Sequence, residues 1–64
     1  MNRQKILQEV KRIGALADDE AQHSAEDELW AAVLEAIAAG EPNPDRLAAA
    51  ALRTRLLNFE RWCA

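Results

Sequence analysis

The chain has 64 residues, a formal net charge of −3, half of its residues apolar and a single cysteine, Cys63. This length sets one domain over residues 1–64, near the lower limit for folding alone, and the apolar content argues against disorder. One cysteine excludes an intrachain disulfide framework and fits a reducing, cytoplasmic setting; spaced apolar residues after Arg3 and Lys5 exclude a signal-peptide core, and no run approaches the ~18 apolar residues of a membrane span.

The first predicted helix runs over residues 3–17, with Asn2 as its N-cap. Ile6, Val10, Ile13 and Ala17 recur at helical spacing, with Leu7 and Leu16 beside them. Gly14 falls inside this pattern at a cost of about 1 kcal/mol against alanine. It marks either a close helix approach, the preferred reading, or fraying near the helix end.

Two starts fit the second helix. Asp18, Asp19 and Glu20 suit the positive end of a helix dipole. Ser24-Ala25-Glu26-Asp27 has the form of a capping box and places the helix at 25–39. From Leu29 onward an apolar stripe of Leu29, Trp30, Val33, Leu34 and Ile37 is clear, with Glu28 and Glu35 on the opposite side. Gly40 reads as a C-terminal stop.

Glu41-Pro42-Asn43-Pro44 punctuates the chain, and Pro44 in a first turn with Asn43 as cap opens a third helix over 44–57. Leu47, Ala48, Ala51, Leu52 and Leu56 are its expected core face. Asn58 ends it, so that the tail from Phe59 to Ala64 folds back and sets Phe59 and Trp62 over the core; the competing reading carries the helix on to Trp62. The fold class is therefore all-α, a three-helix bundle with an aromatic C-terminal tail packed on its core.

Charge is segregated along this bundle. Residues 1–17 hold Arg3, Lys5, Lys11 and Arg12 against Glu9, and residues 42–64 hold Arg46, Arg53, Arg55 and Arg61 against Asp45 and Glu60. Between them lie Asp18, Asp19, Glu20, Glu26, Asp27, Glu28, Glu35 and Glu41 with no lysine or arginine. Two readings stand. The acids solvate the second helix and pair with the basic helices beside it, or they form a negative surface that meets a basic partner and speeds its association. In the second reading Glu20, Asp27, Glu28 and Glu35 are the partner-binding residues. That partner is a protein, possible classes including a nucleic-acid-binding one; a homodimer formed through the apolar stripe is the alternative. Direct nucleic-acid binding is disfavoured, because the basic residues are few, split between two segments and not interleaved with aromatics.

The patterns that suggest chemistry are thin. Glu20-Ala21-Gln22-His23 has the Glu-x-x-His spacing of carboxylate-bridged di-iron helices, but that site needs a second copy and two further glutamates, and His23 is the only histidine. Glu26, Asp27 and Glu28 are adjacent on a helix and point in different directions. Neither Cys63 nor Ser24 has a base at recognisable spacing. The expectation is a protein without catalytic residues, cofactor or metal. Trp30 and Trp62 read as core residues first and as exposed binding anchors second.

His23-Ser24-Ala25-Glu26-Asp27-Glu28-Leu29 and the ending Phe59-Glu60-Arg61-Trp62-Cys63-Ala64 resemble segments of small helical proteins from bacteria and their phages. That family carries over no activity and no functional residue. By type, in size, acidity and helicity, the chain also resembles small phage-encoded inhibitors, anti-CRISPR proteins among them. What this resemblance implies is a non-catalytic inhibitor encoded by a phage or mobile element; the acidic helix as its contact surface is the expectation from the charge pattern.

Overall fold

The computed structural model describes residues 1–61 and shows three α-helices, with no strand among them. These are α1 (Arg3–Gly14), α2 (Asp19–Ala38) and α3 (Pro44–Ala51), the last continued by a 3₁₀ helix over Leu52–Leu56. The expected all-α three-helix arrangement is what the chain adopts, but α1 stops at Gly14 and not at residue 17, and the third helix is α-helical only to Ala51.

Local caps mark most of the helix ends, and tertiary contacts settle the rest. Asn2 Oδ1 accepts from the Lys5 amide at 2.9 Å, which satisfies one of the unpaired amides opening α1. Helix α2 starts at Asp19, with Asp18 Oδ2 accepting from the Ala21 amide at 3.1 Å. The capping box at Ser24 is therefore overruled, and Ser24 lies exposed inside the helix. The early turns of α2 are held by tertiary contacts that no local motif announces. Gln22 is buried and its Nε2 donates to the Ile13 carbonyl at 3.1 Å, capping the end of α1. At the far end, Gly40 has a φ of +93°; Glu41 N–H bonds the Ala36 carbonyl and Gly40 N–H the Ile37 carbonyl. This is a Schellman closure, which needs a left-handed residue at that position.

Asn43 stands at the head of α3 in the left-handed region, φ 58°, and its side chain makes no capping bond. Its carbonyl instead receives the Arg46 and Leu47 amides. Asparagine tolerates this backbone better than most residues.

The core joins Ile6, Val10 and Ile13 of α1 to Leu29 and Val33 of α2 and to Leu47, Ala50 and Ala51 of α3. Leu7, Trp30, Ile37 and Leu57 pack against its margin. The third helix departs from expectation in which face it buries. Leu47, Ala50, Ala51 and Thr54 form the inward stripe, while Leu52 and Leu56 point to solvent. Thr54 is fully buried because its hydroxyl is satisfied: it donates to the Ala51 carbonyl at 3.1 Å and accepts from Trp30 Nε1 at 3.0 Å. Trp30 Nε1 also reaches the Ala51 carbonyl at 3.1 Å. Thr54→Val keeps the shape and leaves Trp30 one acceptor, so it should cost about 1 kcal/mol. Thermal unfolding followed by circular dichroism should show a midpoint lower by roughly 4–8 °C.

Helix formation ends at Leu56, which excludes a third helix continuing to Trp62. Phe59 turns back and is buried, as expected of the tail. The close approach expected at Gly14 is made by this returning segment and not by a helix. A Cβ at Gly14 would lie 3.0 Å from Leu57 Cδ2. Trp62 and Cys63, and with them one proposed aromatic anchor, lie outside the described residues.

Candidate functional site

On α2, residues 20, 24, 27, 28, 31, 35 and 38 are all exposed, and their spacing of three and four places them on one side of the helix. Glu20, Asp27, Glu28 and Glu35, the four acids expected to bind a partner, share that solvent-facing side. None of the four lies within ion-pair distance of a lysine or arginine among the described residues. Asp27 Oδ1 sits 3.6 Å from His23 Nε2, one turn back along the helix. Glu28 also lines an open hollow of about 310 Å³ with Lys5, Glu9 and Arg12 of α1, so basic side chains temper its field. Glu20 and Asp19 serve a second purpose, since they stand in the first turn of α2 where a negative charge favours the helix dipole.

The fourth of the eight acids in this segment does something different. Glu26 falls on the buried stripe of α2 with Gln22, Leu29 and Val33, and is only 3 % exposed. Arg61 meets it with two parallel bonds, Nε to Oε1 at 2.8 Å and Nη2 to Oε2 at 3.0 Å. Arg61 Nη2 also donates to the Thr54 carbonyl at 2.8 Å, and its guanidinium lies over the Phe59 ring at 3.8 Å from the centroid. Burial pushes the Glu26 carboxyl up, but the bonds and charge of Arg61 outweigh it and hold the group below its ordinary 4.5. Arg61 is raised in turn by the same bond. This pair pins the returning tail to α2 and removes Glu26 from the acidic surface. The signal was present in the sequence: a glutamate on an otherwise buried helical stripe demands a cation from elsewhere in the fold.

Histidine and carboxylate ligand atoms of His23, Glu26 and Asp27 come within 4.8 Å of one another. Glu20, the residue of the Glu-x-x-His spacing, is not part of this group. Both Glu26 oxygens are already engaged by Arg61, so a cation at this point would compete with a guanidinium for one of its three ligands.

Trp30 is half-buried, with its indole N–H turned inward to Ala51 and Thr54 and its ring lining an apolar hollow between α2 and α3. It is part of the packing, with one edge accessible, and not a free-standing anchor. No helix among the described residues is long and apolar enough to cross a membrane.

No protein family, curated protein or solved structure matches this chain.

Proposed function

We propose that this chain is a non-catalytic binding protein of the cytoplasm that modulates a larger partner through the acidic side of α2. The observation that carries the reading is the state of Glu20, Asp27, Glu28 and Glu35, four exposed carboxylates on one side with no lysine or arginine bonded to them among the described residues. Charges that the fold offsets only in part, as Lys5 and Arg12 do at Glu28, still produce a field at the surface, and such a field draws in a basic partner and disfavours acidic ones. A protein whose basic groove ordinarily holds phosphates is the partner class that fits, and occupying that groove makes the chain an inhibitor. The resemblance in type to phage-encoded inhibitors supports the same role. The rigid support beneath the acids, α2 packed on both neighbours, keeps them in fixed array.

Affinity capture from a host lysate at low and high salt, followed by titration of the captured protein, tests this. Glu28→Lys with Glu35→Lys should weaken binding at least about tenfold at low salt, with helicity unchanged, because both residues are exposed. Binding that survives both reversals at either salt concentration would sink the acidic-surface reading.

A further inference from the structure

Helix α2 carries His23, Glu26 and Asp27 at spacings of three and four, which makes them neighbours on the helix surface. One ligand atom from each lies within 4.8 Å of the other two. This is not the Glu-x-x-His pattern that begins at Glu20, because both carboxylates follow the histidine. His23 keeps only 14 % of its side chain exposed, and its Nε2 stands 3.6 Å from Asp27 Oδ1, too far for a hydrogen bond. A tetrahedral zinc ion with bonds of about 2.0–2.1 Å holds its ligand atoms about 3.3 Å apart. The gap between His23 and Asp27 is close to that spacing. Asp27 is 68 % exposed, so the approach from water is open. One imidazole with two carboxylates suits zinc, whereas magnesium and calcium favour oxygen ligands alone.

The third member is what calls for a cation. Glu26 is almost wholly buried, and a buried carboxylate needs a positive charge beside it. Arg61 supplies that charge from the tail, 35 residues away, and is itself partly open to solvent. Two kinds of cation can therefore satisfy the same carboxylate. We infer that His23, Glu26 and Asp27 form a zinc-binding site for which Arg61 competes, so that metal binding and docking of the tail on α2 oppose each other. His23 Nε2, one oxygen of Asp27 and one of Glu26 face the ion, water completes its shell, and the guanidinium turns outward. The imidazole and both carboxylates bind in their unprotonated forms, so no group has to be ionised beyond its ordinary neutral-pH state. The coupling is reciprocal: what Arg61 takes from zinc affinity, zinc takes from the hold of Arg61 on the tail.

Zinc titration of the full chain in a Cys63→Ser background, with the thiol removed as a rival ligand, tests the inference. Because His23 is the only histidine, its nitrogen-15 resonances report the site directly. The expected result is one zinc per chain with the Nε2 resonance shifted, and no response to magnesium at the same concentration. His23→Gln and Asp27→Asn should each weaken binding about tenfold or more, since even the loss of an outer-shell partner costs about 10–100-fold. Arg61→Lys loosens the hold on Glu26 without removing the charge, and should tighten zinc binding several-fold. Arg61→Ala should tighten it further and gain thermal stability when zinc is added, a gain that His23→Gln in the same chain abolishes. Zinc binding that leaves the His23 resonances in place, survives His23→Gln or is unchanged by Arg61→Lys would overturn the inference, as would no binding at all. These variants leave Glu28 and Glu35 as they are, so failure here is separate from failure of the acidic-side reading.

Discussion

Arg61→Ala is expected to destabilise the fold by about 3 kcal/mol, more than any change on the Glu26 side of the same pair. The asymmetry comes from burial. Arg61 keeps 31 % of its side chain exposed and swings into water when its partner is removed, whereas Glu26 is 3 % exposed and has nowhere to go. Removing the arginine strands a buried carboxylate; it also frees the Thr54 carbonyl and the Phe59 ring. Glu26→Gln keeps an acceptor in place and should cost only about 1 kcal/mol. Arg61→Lys should recover part of the loss, because a point charge cannot reproduce the two parallel bonds.

The pH dependence gives this prediction a second readout. Glu26 titrates below its ordinary 4.5 when folded, so its contribution is full above that value and is lost as pH falls through the folded pKa. Without Arg61, burial dominates and raises the group, and protonation then relieves the folded state instead of weakening it. The deficit of Arg61→Ala relative to the parent chain should therefore shrink between neutral pH and about pH 4. Urea denaturation at the two pH values measures it directly, and a deficit that grows on acidification would refute the assignment of Arg61 as the counter-charge.

Ile13→Ala should be the other large effect, at about 3 kcal/mol. Ile13 has no exposed surface and sits where α1 meets both other helices. Truncation leaves a cavity at the point from which Gln22 ties α2 to the end of α1. A core of this size rarely supplies more than about 3–5 kcal/mol in total, so the variant should be substantially unfolded at room temperature. Circular dichroism and a urea titration would show it, and a variant within about 1 kcal/mol of the parent would mean that the core collapses around the gap.

Much of the helical framework was legible because its signals act over a few residues. The Asn2 cap, the Gly40 stop and the Pro44 first turn each depend on one residue's side chain or backbone preference and the amides beside it. The spacing of Ile6, Val10 and Ile13, and of Leu29 and Val33, marks inward faces by periodicity alone. The candidate acidic side is legible for the same reason, since helical spacing places Glu20, Asp27, Glu28 and Glu35 together. The inward stripe of α3 was not, because alanine and threonine carry little apolar signal and two nearby leucines, Leu52 and Leu56, carry a great deal.

What the tertiary structure alone decided are the contacts between distant segments. Of the two starts that local signals allow for α2, the one at Asp19 wins because Gln22 and Glu26 find partners nine and 35 residues away. Thr54 goes inside because Trp30, 24 residues earlier, supplies a donor. Glu26 leaves the acidic surface because Arg61 reaches it. A local pattern records what a residue prefers in isolation, whereas burying a polar group depends on a partner that arrives only when the chain closes. Charge segregation is thus a property of the sequence, and which of those charges remain free for another molecule is a property of the fold.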